Sequence, residues 1–456
     1  MRVRLLFAIC SAAIMPVCSF AQWSPPVNIS HVPSGCTVGE PHLAVDSSGT
    51  VHACYVLYKP NGDHVCYTCK RSNTDTWTIP VVVSRDSVHG KNSAIGIGPG
   101  LLPHILWQTE DVPGDLWIAH PSGDTWSIPE RLADWHGPGR ALRAAADSFE
   151  RLHAIWFDSY SGASLYSRYD AGGWSRPETI VVYVDTFKIW ATDLALDRGG
   201  YAHVSCRRSG GEDTFPRYYV RQAESGWTRP VALPATTWHG GGDLRIGLDQ
   251  QDRPHFLWGD QYHTTYSCWT GDSWTRPETL NCGLSGGRWP AVYIDRWSQI
   301  HAVFYIGHLV ERIRWHGMWS DTITVDPNSR GWTTIAAGPD RLHSVQANVD
   351  VYYCSRPLTP PAIEEPVAST QVMLTHTVAN LITPSSAIVF DLARPSRVAI
   401  SVFDASGREV GSVYSGFLGA GSHRFRPCRY LSASGVFYCQ IRTGNLNKVI
   451  KLVRVN

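Results

Sequence analysis

The chain reads as an all-β protein: a seven-bladed β-propeller closed by its N-terminal strand, followed by a small C-terminal immunoglobulin-like β-sandwich. Three observations predict this. A Trp-Ser/Thr anchor returns once per unit, at Trp23, Trp77, Trp126, Trp174, Trp227, Trp274 and Trp319. A His inside an apolar run also recurs seven times, at His52, His104, His153, His203, His255, His301 and His343. After a Pro-rich segment, the last stretch of chain drops this pattern for strict polar/apolar alternation.

Residues 1–21 come first. Arg2 and Arg4 precede a short apolar run and Ser19-Phe20-Ala21, the layout of a secretory signal peptide cleaved before Gln22. The run is too short for a comfortable membrane span, so the expected location is secreted or on the outer cell surface. Of 40 Lys and Arg the leader removes two, leaving 38 against 39 Asp and Glu. That balance offers no electrostatic footprint for nucleic acid, and none is expected as a partner. The cysteines are too sparse for a disulfide framework. Cys66-Tyr-Thr-Cys69 lacks the second ligand pair that a zinc site needs. Neither a metal nor a cofactor is expected.

Residues 22–357 carry the repeat at roughly 48 residues per unit, within the range of four-stranded propeller repeats. In each unit the inner strand ends six residues before the His. An Asp stands there five times (Asp46, Asp147, Asp197, Asp249, Asp295), and Gly98 and Ala337 replace it in the second and seventh units. A turn leads to the second strand, which carries the His. The third strand carries an aromatic, as at Tyr67, Tyr166 and Tyr353. The outer strand is expected to begin W-S/T-x-P, since an edge strand tolerates Pro. The repeat starts with an outer strand and stops after a third strand, so the first strand should complete the last sheet. A residue present once per blade is spread too widely for one substrate. The repeated Asp and His are therefore read as turn caps and inter-strand hydrogen bonds.

Residues 358–370, rich in Pro, read as a stiff linker. Residues 371–456 then read as a small β-sandwich with short strands and Gly turns. Its segments VFDASGREV (402–410), GAGSHRF (419–425), SGVFYCQI (434–441) and KVIKLV (448–453) resemble, in that order, the type A C-terminal sorting domain of the type IX secretion system. They are also similar to the immunoglobulin-like FlgD-type module, though Pro427 and Cys428 stand where that pattern carries a Trp. The first resemblance implies an outer-membrane export machinery as partner through residues 371–456. The repeat region is loosely similar to sialidase-like and BNR-type repeat proteins, without the S-x-D-x-G-x-x-T-W box or the arginine segment of sialidases.

Aligned on the Asp, the positions six before it hold Glu40, Asn92, Ala141, Ala191, Asp243, Trp289 and Gly331. Those four before it hold His42, Ala94, Arg143, Asp193, Arg245, Ala291 and Thr333. Sameness builds a ring, whereas a site needs particular groups. The expected binding set at this mouth is therefore Glu40, His42, Asn92, Arg143, Asp193, Asp243 and Arg245. Trp135, Trp190, Trp238 and Trp289 join it from the approach loops. Trp faces beside Arg, Asp and His suit sugar rings and their hydroxyls. The expected function is carbohydrate binding or adhesion by a monomer, with a glycan or a surface protein as ligand. A glycan-active enzyme (hydrolase or lyase) and a protein-interaction scaffold are the alternatives. If there is chemistry, Asp193 or Asp243 with His42 or His239 is the acid/base set.

Overall fold

The computed structural model describes residues 22–84, 90–109, 114–135, 141–158, 161–170, 173–181, 183–184, 187–208, 216–234, 243–259, 262–281, 289–315, 317–329, 331–360, 381–382, 388–392, 396–406, 408–418, 421–426, 431, 434–443 and 446–454. Among them the regular elements are strands, apart from one 3-10 turn at Pro99–Leu101. No helix is long and apolar enough to cross a membrane. Contacts divide the chain into two compact units, up to Pro361 and from Ala362.

Among the described residues the first unit holds seven antiparallel sheets of four to six strands built to one plan, and a short two-stranded hairpin of Pro121–Ser122 with Thr125–Trp126. Their inner strands are Thr37–Val45, Gly90–Gly98, Arg143–Ala146, Phe187–Leu196, Leu244–Leu248, Ala291–Ile294 and Thr333–Ala337. Each packs on the inner strand of the next sheet, and the seventh packs on the first. This crowding explains the small residues there: a Cβ on Gly96 would meet Leu152 at 2.3 Å, and one on Gly247 would meet Ile294 at 2.4 Å. The seventh sheet takes its outer strand from the far end of the unit. Val27–Asn28 pairs with Val351–Pro357, Val27 opposite Tyr353.

The seven Trp-Ser/Thr pairs have one structural reason. The Ser or Thr N–H donates to a third-strand carbonyl at 2.8–2.9 Å. Its hydroxyl accepts the N–H of the same third-strand residue at 3.0–3.2 Å, and this holds for Ser24, Thr78, Ser127, Ser175, Thr228, Thr275 and Ser320. The hydroxyl replaces a ladder bond just where the chain is about to leave the sheet, at Pro in six of the seven and at Asp321-Thr322 in the last. The outer strand proper then starts after the Pro rather than at the Trp, as at Val81–Val82 and Glu178–Val181. Pro has no N–H to give the ladder, so the expected start shifts by a few residues.

The repeated Asp and His are structural. Asp46 Oδ1 accepts the N–H groups of Ser48 and Thr50, and its Oδ2 faces His52 Nε2. His52 Nδ1 lies 2.8 Å from the Tyr67 hydroxyl. The same Asp–His–Tyr chain recurs through Asp147, His153 and Tyr166, through Asp197, His203 and Tyr219, and through Asp249, His255 and Tyr266. Nε2 donates to the carboxylate and Nδ1 can accept the tyrosine proton, an arrangement that needs no imidazolium, and burial lowers the pKa of His52, His153 and His203. The ring of that Tyr then receives the Trp of the following sheet edge-on. The pairs Tyr67–Trp126, Tyr166–Trp227, Tyr219–Trp274 and Tyr266–Trp319 have centroids 4.8, 5.3, 6.0 and 5.1 Å apart, and Tyr353–Trp77 closes the cycle at 4.9 Å. The Glu of the R-P-E-T motif completes the joint. Glu178 accepts the indole N–H of Trp227, and Glu278 that of Trp319.

At the sixth-to-seventh joint Glu311 stands where five of the other sheets have Tyr, the second having Ile118. It faces His301 Nδ1 at 2.7 Å, and it accepts Trp23 Nε1 at 2.9 Å and Arg356 Nη1 at 2.8 Å. Both His301 nitrogens now meet carboxylates, Asp295 on the other side. Burial disfavours the imidazolium, but these carboxylates outweigh it and raise the His301 pKa. Burial likewise opposes the Glu311 charge, yet His301 and Arg356 hold its carboxyl below the ordinary range. The closure is therefore ionic where the other joints are neutral.

Cys66 and Cys69 lie on one strand of the first sheet as free thiols. Leu358 is buried and its N–H donates to Asp340 O, so the chain is still anchored to the ring there. In the second unit a five-stranded and a two-stranded sheet share a core around Phe390, Ile400, Val402 and Ile441. The Asp-Ala-Ser-Gly turn is capped by Asp404, whose Oδ1 accepts the N–H groups of Ser406 and Arg408.

Two outcomes are expected. Deleting residues 22–30 strips Trp23, Ser24 and the outer strand from the seventh sheet and leaves Glu311 without its indole. It should cost on the order of 5 kcal/mol in urea unfolding; an unchanged midpoint would contradict the closure. The second concerns pH. Burial lowers the pKa of His52, His104, His153 and His203, and takes His343 from 6.5 to about 4. The unfolded chain takes up these protons near pH 6.5 while the folded chain does not. Their contribution is thus present above pH 6.5 and lost as pH falls toward 4. The stability of His343→Gln should fall less steeply than wild type across that window.

Candidate functional site

The starts of the inner strands bring the predicted charged residues together. Glu40 and His42 come from the first sheet, Arg143 from the third, Asp193 from the fourth, and Asp243 and Arg245 from the fifth. Arg143 Nε lies 3.5 Å from Asp193 Oδ1, and Arg245 Nη2 lies 3.7 Å from Asp243 Oδ2. Asp193 Oδ2 also accepts the N–H of Ile246 at 3.1 Å. Asp193 therefore ties the third, fourth and fifth sheets together and is a brace as well as a charge.

The electrostatics show that the groups share one space. Burial takes the His42 pKa well below the ordinary value, and the positive charges of Arg143 and Arg245 lower it further. His42 is a neutral imidazole at physiological pH. Burial and the proximity of Arg245 lower Arg143 to about 10, even with Asp193, Asp243 and Glu40 pulling the other way. Two guanidiniums that repel, with carboxylates at their sides, suit a ligand carrying acidic groups and hydroxyls.

The backbone is strained at the same level. Glu40, Asn92 and Trp289 have positive φ of 53°, 48° and 53°. All three are at the position six before the aligned Asp. In the first two sheets that position coincides with a β-bulge, between Gly39 and His42 and between Lys91 and Ala94. A bulge re-aims a side chain, and a bulky residue at positive φ persists only where its surroundings hold it.

The aromatic expectations divide. Trp190 lies on the inner strand of the fourth sheet, not on an approach loop. The Arg207 guanidinium sits 5.3 Å over its ring and Phe157 packs against it at 5.1 Å, so its faces are taken by the protein's own groups. Trp289 lies 5.7 Å from Tyr305 and 6.1 Å from Trp332. Trp332 is exposed to 38% and was missed in the sequence because it falls one residue past the aligned position, next to Gly331. Asn92 donates to Gln108 Oε1. The Trp135 side chain, Trp238 and His239 lie outside the described residues. Among the described residues no group of three or more His, Cys, Asp or Glu could hold a metal ion.

No protein-family model matches this chain, and no curated protein matches it. Solved structures do share its architecture. An ulvan lyase of a new polysaccharide lyase family, bound to -[GlcA(1-4)Rha3S]-, aligns at TM-score 0.54 and 13% identity over 72% of this chain and 95% of that one. An α-L-arabinanase of Penicillium chrysogenum, complexed with arabinobiose, aligns at TM-score 0.46 and 12% identity over 62% and 94%. PorZ, a surface component of the type IX secretion system of Porphyromonas gingivalis, aligns at TM-score 0.44 and 10% identity over 91% and 59%. The lyase shows the shared all-β, propeller-type fold. The other two likenesses are too low to carry an argument.

The double role of Asp193 gives a test. Asp193→Ala frees the Ile246 N–H and leaves Arg143 without its nearest carboxylate, and should cost about 1–3 kcal/mol in denaturant unfolding. Asp243→Ala, which frees no backbone N–H and breaks a longer 3.7 Å pair with Arg245, should cost under about 1 kcal/mol. Equal effects would contradict the brace.

Proposed function

We propose that this chain is a secreted or cell-surface seven-bladed β-propeller that binds a glycan at the mouth where its inner strands begin. Its immunoglobulin-like residues 371–456 serve as the export address. One observation carries the reading: Glu40, His42, Arg143, Asp193, Asp243 and Arg245 converge from four sheets, at the one level where the repeat abandons sameness. Five of the seven opposite ends of the inner strands carry Asp-capped turns of one design, suited to turning the chain. A mixed set of guanidiniums, carboxylates and a neutral imidazole recognises sugar hydroxyls together with acidic substituents.

A second reading, a glycan hydrolase or lyase at the same mouth, draws on His42. A neutral imidazole beside two guanidiniums and the carboxylates Asp193 and Asp243 is the residue set of acid/base chemistry on a sugar chain.

The experiment uses the mature chain and a double variant, Asp243→Ala with Arg245→Ala, which removes both members of an ion pair and strands neither. Titration calorimetry against hexagalacturonate should show binding by wild type and at least about a tenfold loss in the double variant, at unchanged melting temperature. Reducing ends released during incubation favour the enzyme reading. Equal binding by both proteins would remove the site from this mouth.

A further inference from the structure

We propose a second subsite in the cleft between the sixth and seventh sheets, which takes a neutral sugar residue by stacking on Trp332 and by hydroxyl contacts to Asp326 and Ser329. It rests on the glycan-binding reading above and adds the chemistry of one part of the ligand. Trp332 opens the inner strand of the seventh sheet and is held by backbone: its carbonyl accepts the Ala347 N–H at 2.9 Å. Its ring lies at 38° to that of Trp289, whose backbone is at positive φ, and Tyr305 packs on the other side of Trp289. A large indole more than a third exposed beside a second one held in a strained conformation is an aromatic platform for the CH face of a sugar.

Three residues before Trp332, and at the residue after Ala347, the chain lines a cleft of 110 Å³. Its walls include Asp326, Ser329, Asn348 and Tyr352. By water's share of liquid volume this is room for roughly three to four waters, enough for the hydroxyl-bearing edge of one sugar ring. Asp326 is only 2% exposed and accepts two neutral donors, the Asn328 N–H at 2.9 Å and Gln346 Nε2 at 3.0 Å. Among the described residues no cation lies within ion-pair distance of it. Ser329 is equally buried, and its Oγ has no hydrogen-bond partner among the described residues. Gln346 offers nothing further, because its amide already serves Asp326, Cys354 and Ser344.

A buried carboxylate beside an unpartnered hydroxyl calls for a ligand that donates hydrogen bonds. A sugar hydroxyl does so. The carboxylate, with no guanidinium within ion-pair distance among the described residues, also disfavours uronate and sulfate groups. The mouth is thus divided: the arc of the third to fifth sheets carries Arg143 and Arg245 for acidic groups, and the arc of the sixth and seventh takes a neutral ring.

The test is calorimetry of the full mature chain against cello-, xylo- and mannohexaose and against hexagalacturonate. Trp332→Ala and Ser329→Val should each weaken the best-bound neutral hexaose about tenfold or more, while hexagalacturonate affinity stays within about twofold. Trp332→Phe, which keeps a stacking face, should restore most of the neutral binding. Neutral-hexaose affinity equal to wild type in Trp332→Ala and Ser329→Val overturns the subsite and leaves the glycan reading intact. Wild type that binds none of the four oligosaccharides overturns both.

Discussion

The joint between neighbouring sheets, in four of the seven an Asp–His–Tyr hydrogen-bond chain ending in an edge-on Trp, is the interaction on which the ring depends. Within a sheet it ties the turn after the inner strand to the second and third strands. Between sheets it sets one aromatic edge against the next face, a contact of about 0.5–1.5 kcal/mol beyond the area it buries. Neutrality is what makes it repeatable. A His that accepts from Tyr and donates to Asp needs no charge of its own, and the one charge in the chain, the Asp, is compensated by two backbone N–H groups. At the closing joint Glu311 replaces the Tyr and gathers His301, Arg356 and Trp23, a buried ionic knot between the two ends of the unit. Such a knot is strongly destabilising to break from one side. That suits the place where the ring is held by noncovalent contacts alone.

Because the joints hold each inner strand in place, the strand starts are free to differ. Positions that face neighbouring strands must be small, as Gly96 and Gly247 show, while those at the mouth carry Glu, His, Arg, Asp and Trp. The bulges at Gly39–His42 and Lys91–Ala94 belong to the same division. The repeat sets the strand's path, and a local break in the ladder turns particular side chains toward the axis. Glu40, Asn92 and Trp289 hold positive φ at this level, in non-repeating company, whereas Glu150, Asp252 and Ser298 hold it at one shared position of the opposite turns, where it serves to turn the chain.

Much of this was legible in the letters because repetition multiplies a weak signal by seven. The W-S/T pairs, the spacing from Asp to His and the odd strand at the start prescribe the sheets and the closure before any coordinate. Likewise, alignment on the Asp picked out Glu40, His42, Arg143, Asp193, Asp243 and Arg245 as a group. What escaped was anything decided by distance across the ring. Trp190 reads as a loop indole, but Arg207 and Phe157 cover it. Asp193 reads as a free acid, but it also receives the Ile246 N–H from the next sheet. Glu311 is visible as a departure from Tyr, yet its partners Trp23 and Arg356 are remote in the chain. Trp332 was passed over because the alignment counted in strict register, and one residue of offset turns a side chain to the other face of a strand.

The central claim is that repetition serves the ring and its local failures mark the binding mouth. Hydrogen–deuterium exchange of the mature chain, with and without its tightest-binding hexaose, tests it most directly. The account predicts added protection at the strand starts, around residues 40–43, 143–146, 243–246 and 332–334, and none at the Asp-capped turns 46–50, 147–151, 197–201, 249–253 and 295–299. Protection concentrated at those turns, with the strand starts unchanged, would contradict it.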